Sequence, residues 1–177
     1  PGFGGSCFPK DVKAFTATAK KYEIDLSIID AVNKSNNYRP KKIVSKIINH
    51  FNDGVKNKTF AILGLSFKPN TDDVRDSTSM IIANYLINQN ATIKAYDPQA
   101  MHNAKKNLPQ LICCDSINDT CKDADAVIIA TEWNEFRALD LRELKKILKS
   151  AIIFDLRNIY NKENTLNLGY EYYGVGR

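Results

Sequence analysis

Four short apolar runs, separated by stretches of helical periodicity, constrain the fold of this chain more than any other feature. Residues 59–65 (TFAILGL), 91–96 (ATIKAY), 126–131 (AVIIAT) and 151–154 (AIIF) are short and apolar, as strands buried inside a sheet are. Residues 79–88, 101–107 and 141–149 read as helices between them, and residues 111–114 as a further short strand. Strands alternating with helices at this spacing predict a parallel, doubly wound sheet of the α/β class.

The chain before this alternation has a different character. After a glycine-rich loop at residues 1–6, Val12, Phe15, Ala19 and Tyr22 recur at helical spacing. A second helical stripe carries Leu26, Ile29 and Val32, with Asn33 beside them, and resumes with Ile43, Ile47, Ile48 and Phe51. Arg39-Pro40 predicts a boundary or kink between its two parts, because proline biases its predecessor away from helix. Asn52-Asp53-Gly54 is a helix stop. The expected organisation is a helical segment over residues 1–53 followed by a Rossmann-like domain over residues 54–177.

Composition narrows the function classes. The 177 residues carry a net charge of +5 with lysines spread along the chain rather than clustered among aromatics. That pattern reads as a solvated surface with some attraction for anions, not as a nucleic-acid interface. No apolar run reaches the roughly 18 residues of a membrane span, and no secretory leader is visible. A cytoplasmic protein is expected. Cys7, Cys113, Cys114 and Cys121 match no zinc-site spacing, so free thiols and no metal are expected. His50 and His102 read as solvated surface residues. The start at Pro1, directly on a motif, suggests a piece cut from a longer chain.

That motif, Gly2-Phe3-Gly4-Gly5-Ser6-Cys7-Phe8-Pro9-Lys10-Asp11, is the densest chemistry in the sequence. Glycines let backbone amides approach a ligand closely, and Pro9 suits the first turn of a helix. Cys7 then sits just before a helix N-terminus with Lys10 nearby, two influences that favour a thiolate. Asp11 is placed to reach back toward the same point. A nucleophile, a cation and a carboxylate within five residues make an active-site corner; a structural cysteine capping a helix is the alternative reading of the same residues.

The ten residues GFGGSCFPKD resemble the catalytic signature of the UDP-glucose dehydrogenase family, which oxidises the C6 alcohol of UDP-glucose to a carboxylate using two NAD. The resemblance implies that Cys7 is the nucleophile: it attacks the aldehyde stage, gives up a hydride as a thiohemiacetal and leaves a thioester. It further implies that Asp11 positions or activates the hydrolytic water, that Lys10 lies near the nicotinamide cofactor, and that Gly2, Phe3 and Gly4 wrap the sugar. Residues 64–77 (GLSFKPNTDDVRDS) are similar to the segment that opens the family's C-terminal, UDP-sugar-binding domain. There Phe67 and Lys68 would contact the UDP-sugar, and Arg75 the NAD diphosphate.

Three further segments extend the likeness. Tyr96-Asp97-Pro98 ends a strand as in the family; Asp97 suits either a ribose contact or a turn start. Residues 131–136 (TEWNEF) follow a strand in the same way, with Trp133 and Phe136 read as packing in preference to stacking on uracil. Phe154-Asp155-Leu156-Arg157-Asn158 resembles a segment whose arginine, here Arg157, contacts substrate. Leu156 replaces a glycine there, and would be strained if that position needed a positive φ.

The tail at residues 169–177 resembles family C-termini, so a natural end is expected. The family's N-terminal GxGxxG domain has no counterpart in this sequence, nor does the upstream helix that supplies a lysine and an asparagine. No dehydrogenase activity is therefore expected of this chain alone, and NADH production from UDP-glucose would refute that. The resemblance implies a homodimer through the helical segment and UDP-glucose as substrate. Relatives acting on UDP-N-acetylhexosamines carry His before the cysteine and valine in place of the lysine; Ser6 and Lys10 favour glucose. A non-catalytic sugar-nucleotide-binding or dimerisation module is the remaining alternative.

Overall fold

The computed structural model describes residues 1–176. Two helices come first, α1 (Phe8–Lys21) and α2 (Ser27–His50), and an alternating series follows. It comprises β1 (Thr59–Leu63), α3 (Thr78–Asn88), β2 (Thr92–Tyr96), α4 (Met101–Asn107), β3 (Ile112–Cys113), α5 (Ile117–Cys121) and β4 (Ala126–Ile129). The series closes with α6 (Asn134–Arg137), α7 (Leu141–Ile147), β5 (Ile152–Asp155), α8 (Lys162–Asn167) and β6 (Glu171–Gly174). All six strands are parallel, in the order β3-β2-β1-β4-β5-β6. The apolar runs became strands because both faces of the sheet are covered, so every residue of β4 and β5 is buried.

Side chains of successive strand residues point to opposite faces, and two cores result. Phe60, Ile62, Ile128 and Phe154 meet α2 and α3 through Ile43, Val44, Ile47, Ile82 and Leu86. Ala61, Leu63, Val127, Ile129 and Ile153 meet Cys121, Phe136, Leu141, Leu144 and Tyr172 on the other face. The last turns of α2 therefore belong to the sheet's own core, while its first turns and α1 extend away from it.

Several elements differ from the sequence reading. Helix α2 runs unbroken through Pro40. Burial of Pro40 beside Ile43 and Val44 holds the helix together across the missing N–H. Strands are shorter than their apolar runs because Gly64 and Thr131 already belong to the turns that leave β1 and β4. The short elements α5, α6, α8 and β6 carry too few residues for a periodic signal, and tertiary packing defines them. Among the described residues, no helix is long and apolar enough to cross a membrane.

Candidate functional site

In a parallel sheet of this order the strand order reverses between the neighbours β1 and β4, and the crevice outside the strand carboxyl ends at such a switch point is where ligands bind. The turn leaving β1 lies there. Gly64 adopts φ +96°, and a Cβ at that point would strike the side chain and the amide nitrogen of Thr131. Ser77 and Ser79 both donate hydroxyl hydrogens to the Leu65 carbonyl, at 2.7 and 2.8 Å. Thr131 donates to the Ser66 carbonyl at 2.7 Å.

Asp97 completes this turn. Its Oδ2 accepts from the Leu65 and Ser66 amides (2.7 and 3.0 Å), the Ser66 hydroxyl (2.9 Å) and Trp133 Nε1 (3.2 Å). Its Oδ1 accepts from the Gln99 and Ala100 amides. The residue is 1% exposed. Of the two roles open for Asp97, the turn is the one realised: its carboxylate is filled by protein donors and has nothing left for a ribose. Trp133 and Phe136 are buried in the core, as packing requires.

Phe67 and Lys68 follow directly. The Phe67 amide donates to the Asp73 carbonyl at 3.1 Å, closing a polar loop. Within it Arg75 donates to both oxygens of Asp73 at 2.9 Å. That bidentate contact holds the Asp73 carboxyl below the usual carboxylate range. Lys68 Nζ is 5.4 Å from the centre of the Phe67 ring, and its side chain lies in solvent.

The glycine loop docks against this segment. Gly5 donates its amide to the Arg75 carbonyl at 3.0 Å. A Cβ on Gly5 would come within 2.7 Å of the Phe67 ring, and one on Gly4 would collide with the Asp76 carbonyl. On the other side, Asn36 of α2 accepts the Phe3 amide at 2.9 Å and donates to the Phe3 carbonyl at 3.0 Å. These close approaches are what the glycine composition serves. Cys7 then stands at the N-cap of α1 with Pro9 in the first turn, exposed, its Sγ 3.7 Å from the Ser6 hydroxyl. Lys10 and Asp11 are exposed beside it, with Nζ and Oδ1 3.7 Å apart.

Arg157 crosses the strand ends. Its Nε donates to the Ala130 carbonyl at 2.8 Å and its Nη2 to the Phe67 carbonyl at 2.9 Å. Glu132 Oε2 lies 3.1 Å from the same Nε, but that hydrogen is spent on Ala130, so the pair is held by charge alone and Oε2 stays without a hydrogen bond. Burial pulls the guanidinium pKa down, and Glu132 pushes it back. Arg157 therefore ties the end of β5 to the end of β4 and to Phe67. The strain anticipated for Leu156 does not arise. Leu156 is buried in the core, and the positive φ of this turn, +53°, falls on Asn158.

The structure thus gathers Gly2, Phe3, Gly4, Cys7, Phe67 and Arg75 around one loop contact, with Arg157 fixing Phe67 from the sheet side. Lys10, Asp11 and Lys68 project outward from the same elements. Sequence reasoning missed Asn36, Asp73 and Glu132. Asp73 and Glu132 lie within segments 64–77 and 131–136 that the sequence marked as a whole, whereas Asn36 is brought to the loop only by the fold. His50 departs from the surface role expected for it: Nδ1 is 2.9 Å from the Tyr173 hydroxyl and the ring packs edge-on against Phe51 and Phe154. All four cysteines are free, and burial pushes the Cys121 thiol up to about 12.

Residues 1–38 match the central domain of the UDP-glucose/GDP-mannose dehydrogenase family, and residues 61–162 match its UDP-binding domain. The chain belongs to that family. It is 46% identical to the UDP-glucose 6-dehydrogenase of Rickettsia conorii over 178 residues, covering 99% of this chain and 41% of that protein. It is 43% identical to that of Bacillus subtilis, covering 99% and 40%. A UDP-glucose dehydrogenase structure from the archaeon Pyrobaculum islandicum superposes with a TM-score of 0.83 at 32% identity, over 98% of this chain and 38% of that one. The chain spans about two fifths of the length of these relatives. Among members of the UDP-glucose/GDP-mannose dehydrogenase family, then, it corresponds to the central and UDP-binding parts.

Proposed function

We propose that this chain is the nucleophile-bearing and UDP-sugar-binding part of an NAD-dependent UDP-glucose 6-dehydrogenase that converts UDP-glucose to UDP-glucuronate. The observation that carries the reading is the docking of the Cys7 loop against residues 67–76, which sets an exposed thiol at a helix N-terminus beside the strand ends. Cys7 Sγ bonds to C6 of the aldehyde-stage sugar, giving a thiohemiacetal. Loss of hydride from C6 leaves a thioester, and water attacks its carbonyl, releasing the carboxylate and restoring the thiol. Asp11 orients that water. Gly2, Phe3 and Gly4 line the sugar, and Phe67, Lys68 and Arg157 hold the UDP portion.

NAD, when bound, accepts the hydrides. Residues of this chain fit its diphosphate: Arg75 keeps an exposed guanidinium within electrostatic reach of Cys7 after pairing with Asp73, and Lys10 presents an exposed ammonium. Calorimetric titration with UDP-glucose, UDP and UDP-N-acetylglucosamine tests the substrate. Saturable binding that prefers UDP-glucose is expected; preference for the N-acetyl sugar would move the assignment to a UDP-N-acetylhexosamine dehydrogenase.

The helical segment belongs to a homodimer in this proposal. Phe15, Tyr22, Ile24, Ile28 and Tyr38 on α1, α2 and their connection are each more than half exposed, a concentration of apolar surface that calls for a partner. Light scattering should give twice the 19.9 kDa chain mass; a monomer mass would remove this part.

A further inference from the structure

We infer that Asn36 is the positioning residue that sets the nucleophile loop, acting through the backbone of Phe3. The inference rests on the reading of Cys7 as nucleophile, and three observations support it. First, the carboxamide of Asn36 grips one residue twice, accepting from Phe3 N–H at 2.9 Å and donating to Phe3 C=O at 3.0 Å. Such a two-point contact fixes orientation as well as distance, whereas a single bond leaves the peptide free to turn. Second, the loop is shaped around this grip. Gly2 has φ +123°, and a Cβ there would lie 2.7 Å from Asn36 Oδ1. Third, the opposite end of the loop is fixed by Gly5 on Arg75, so the two anchors bracket the residues that lead into Cys7. Without Asn36 the loop keeps its downstream anchor only.

The place of Asn36 in α2 fits this role. Asn36 lies four residues before Pro40, which has no N–H to offer its carbonyl. The residue that holds the loop therefore sits where the helical ladder is interrupted, on a half-buried face turned to residues 2–5. Its uncharged carboxamide donates and accepts at once, which is what the two-point contact with Phe3 uses.

The test uses this chain as it stands, with iodoacetamide as probe. Alkylation of Cys7 is followed by mass spectrometry relative to exposed Cys113 in the same molecule, for wild type, Asn36→Ala and Asn36→Asp, from pH 5.5 to 8.5. Asn36→Ala is expected to lower the Cys7-to-Cys113 rate ratio at least threefold throughout, because the sulfur is no longer held at the helix N-terminus near Arg75. Asn36→Asp should sit at the alanine level across this range, because a carboxyl with the ordinary aspartate pKa of about 3.9 is ionised throughout it and faces the Phe3 carbonyl with an acceptor. Because aspartate matches asparagine in size and shape, that fall isolates the lost donation to Phe3 C=O from any loss of packing. A ratio unchanged in both variants overturns the inference, even if their unfolding temperatures drop, since a purely structural helix residue would produce that result. Failure of UDP-glucose to bind wild type would instead strike the functional reading, which this alkylation does not measure.

Discussion

Asp97→Ala is expected to lower the thermal unfolding midpoint of this chain by roughly 6–20 °C. One buried carboxylate receives six donors from three segments: the turn after β1, the start of α4 and Trp133. Alanine removes the acceptor and leaves those donors facing one another, each unsatisfied buried group costing about 1–3 kcal/mol. Water entering the vacated space recovers part of that, so a net loss of about 3–5 kcal/mol follows. In a domain of this size each kcal/mol shifts the midpoint by about 2–4 °C. Asp97→Asn should rescue little, because its NH₂ would point a donor at other donors. Circular dichroism melts of wild type, both variants and Asp115→Ala, an exposed control, make the comparison; a midpoint for Asp97→Ala within 2 °C of wild type would sink the argument. The effect should reach ligand binding as well, since Leu65 and Ser66 lead directly into Phe67 and Lys68.

The second large effect concerns chemistry. In a complete enzyme containing this chain, Cys7→Ser should reduce kcat for four-electron oxidation by at least ~10³-fold, the scale of losing a nucleophile. Serine keeps the size and the N-cap position but offers a hydroxyl that is not ionised near neutral pH, so the covalent stage fails. The first oxidation, from alcohol to aldehyde, does not use the sulfur and should persist in a single turnover. Stopped-flow NADH absorbance separates the two stages. A variant turning over within tenfold of wild type would mean that Cys7 is not the nucleophile, and that the loop serves binding alone.

The first expectation rests on partners 31 to 36 residues away, the second on a residue placed by its neighbours in sequence, and this bears on what could be read in advance. The strands β1, β4 and β5 were legible because they are buried on both faces, so burial alone writes the pattern, while β2 buries alternate residues. The helix stop at residues 52–54 was legible from turn residues, and Gly54 does take a positive φ. The interruption expected at Pro40 was not realised, since a buried proline can be carried by packing that local preference does not register. His50 looked solvent-facing for a similar reason: its partner Tyr173 lies 123 residues away.

The chemistry divides along the same line. Cys7 follows the glycine-rich stretch of residues 2–6 and stands two residues before Pro9, a first-turn signal, so its N-cap place was legible locally. Apolar periodicity and turn chemistry likewise fixed the α/β class, because they act over a few residues. Tertiary structure alone decided that Asp97 is filled by protein donors, that Arg157 ties Phe67 to the strand ends, and that Asn36 holds Phe3 from 33 residues away. A polar side chain has several possible partners of equal chemistry, and only the crossing of the parallel strands determines which one is within hydrogen-bond reach.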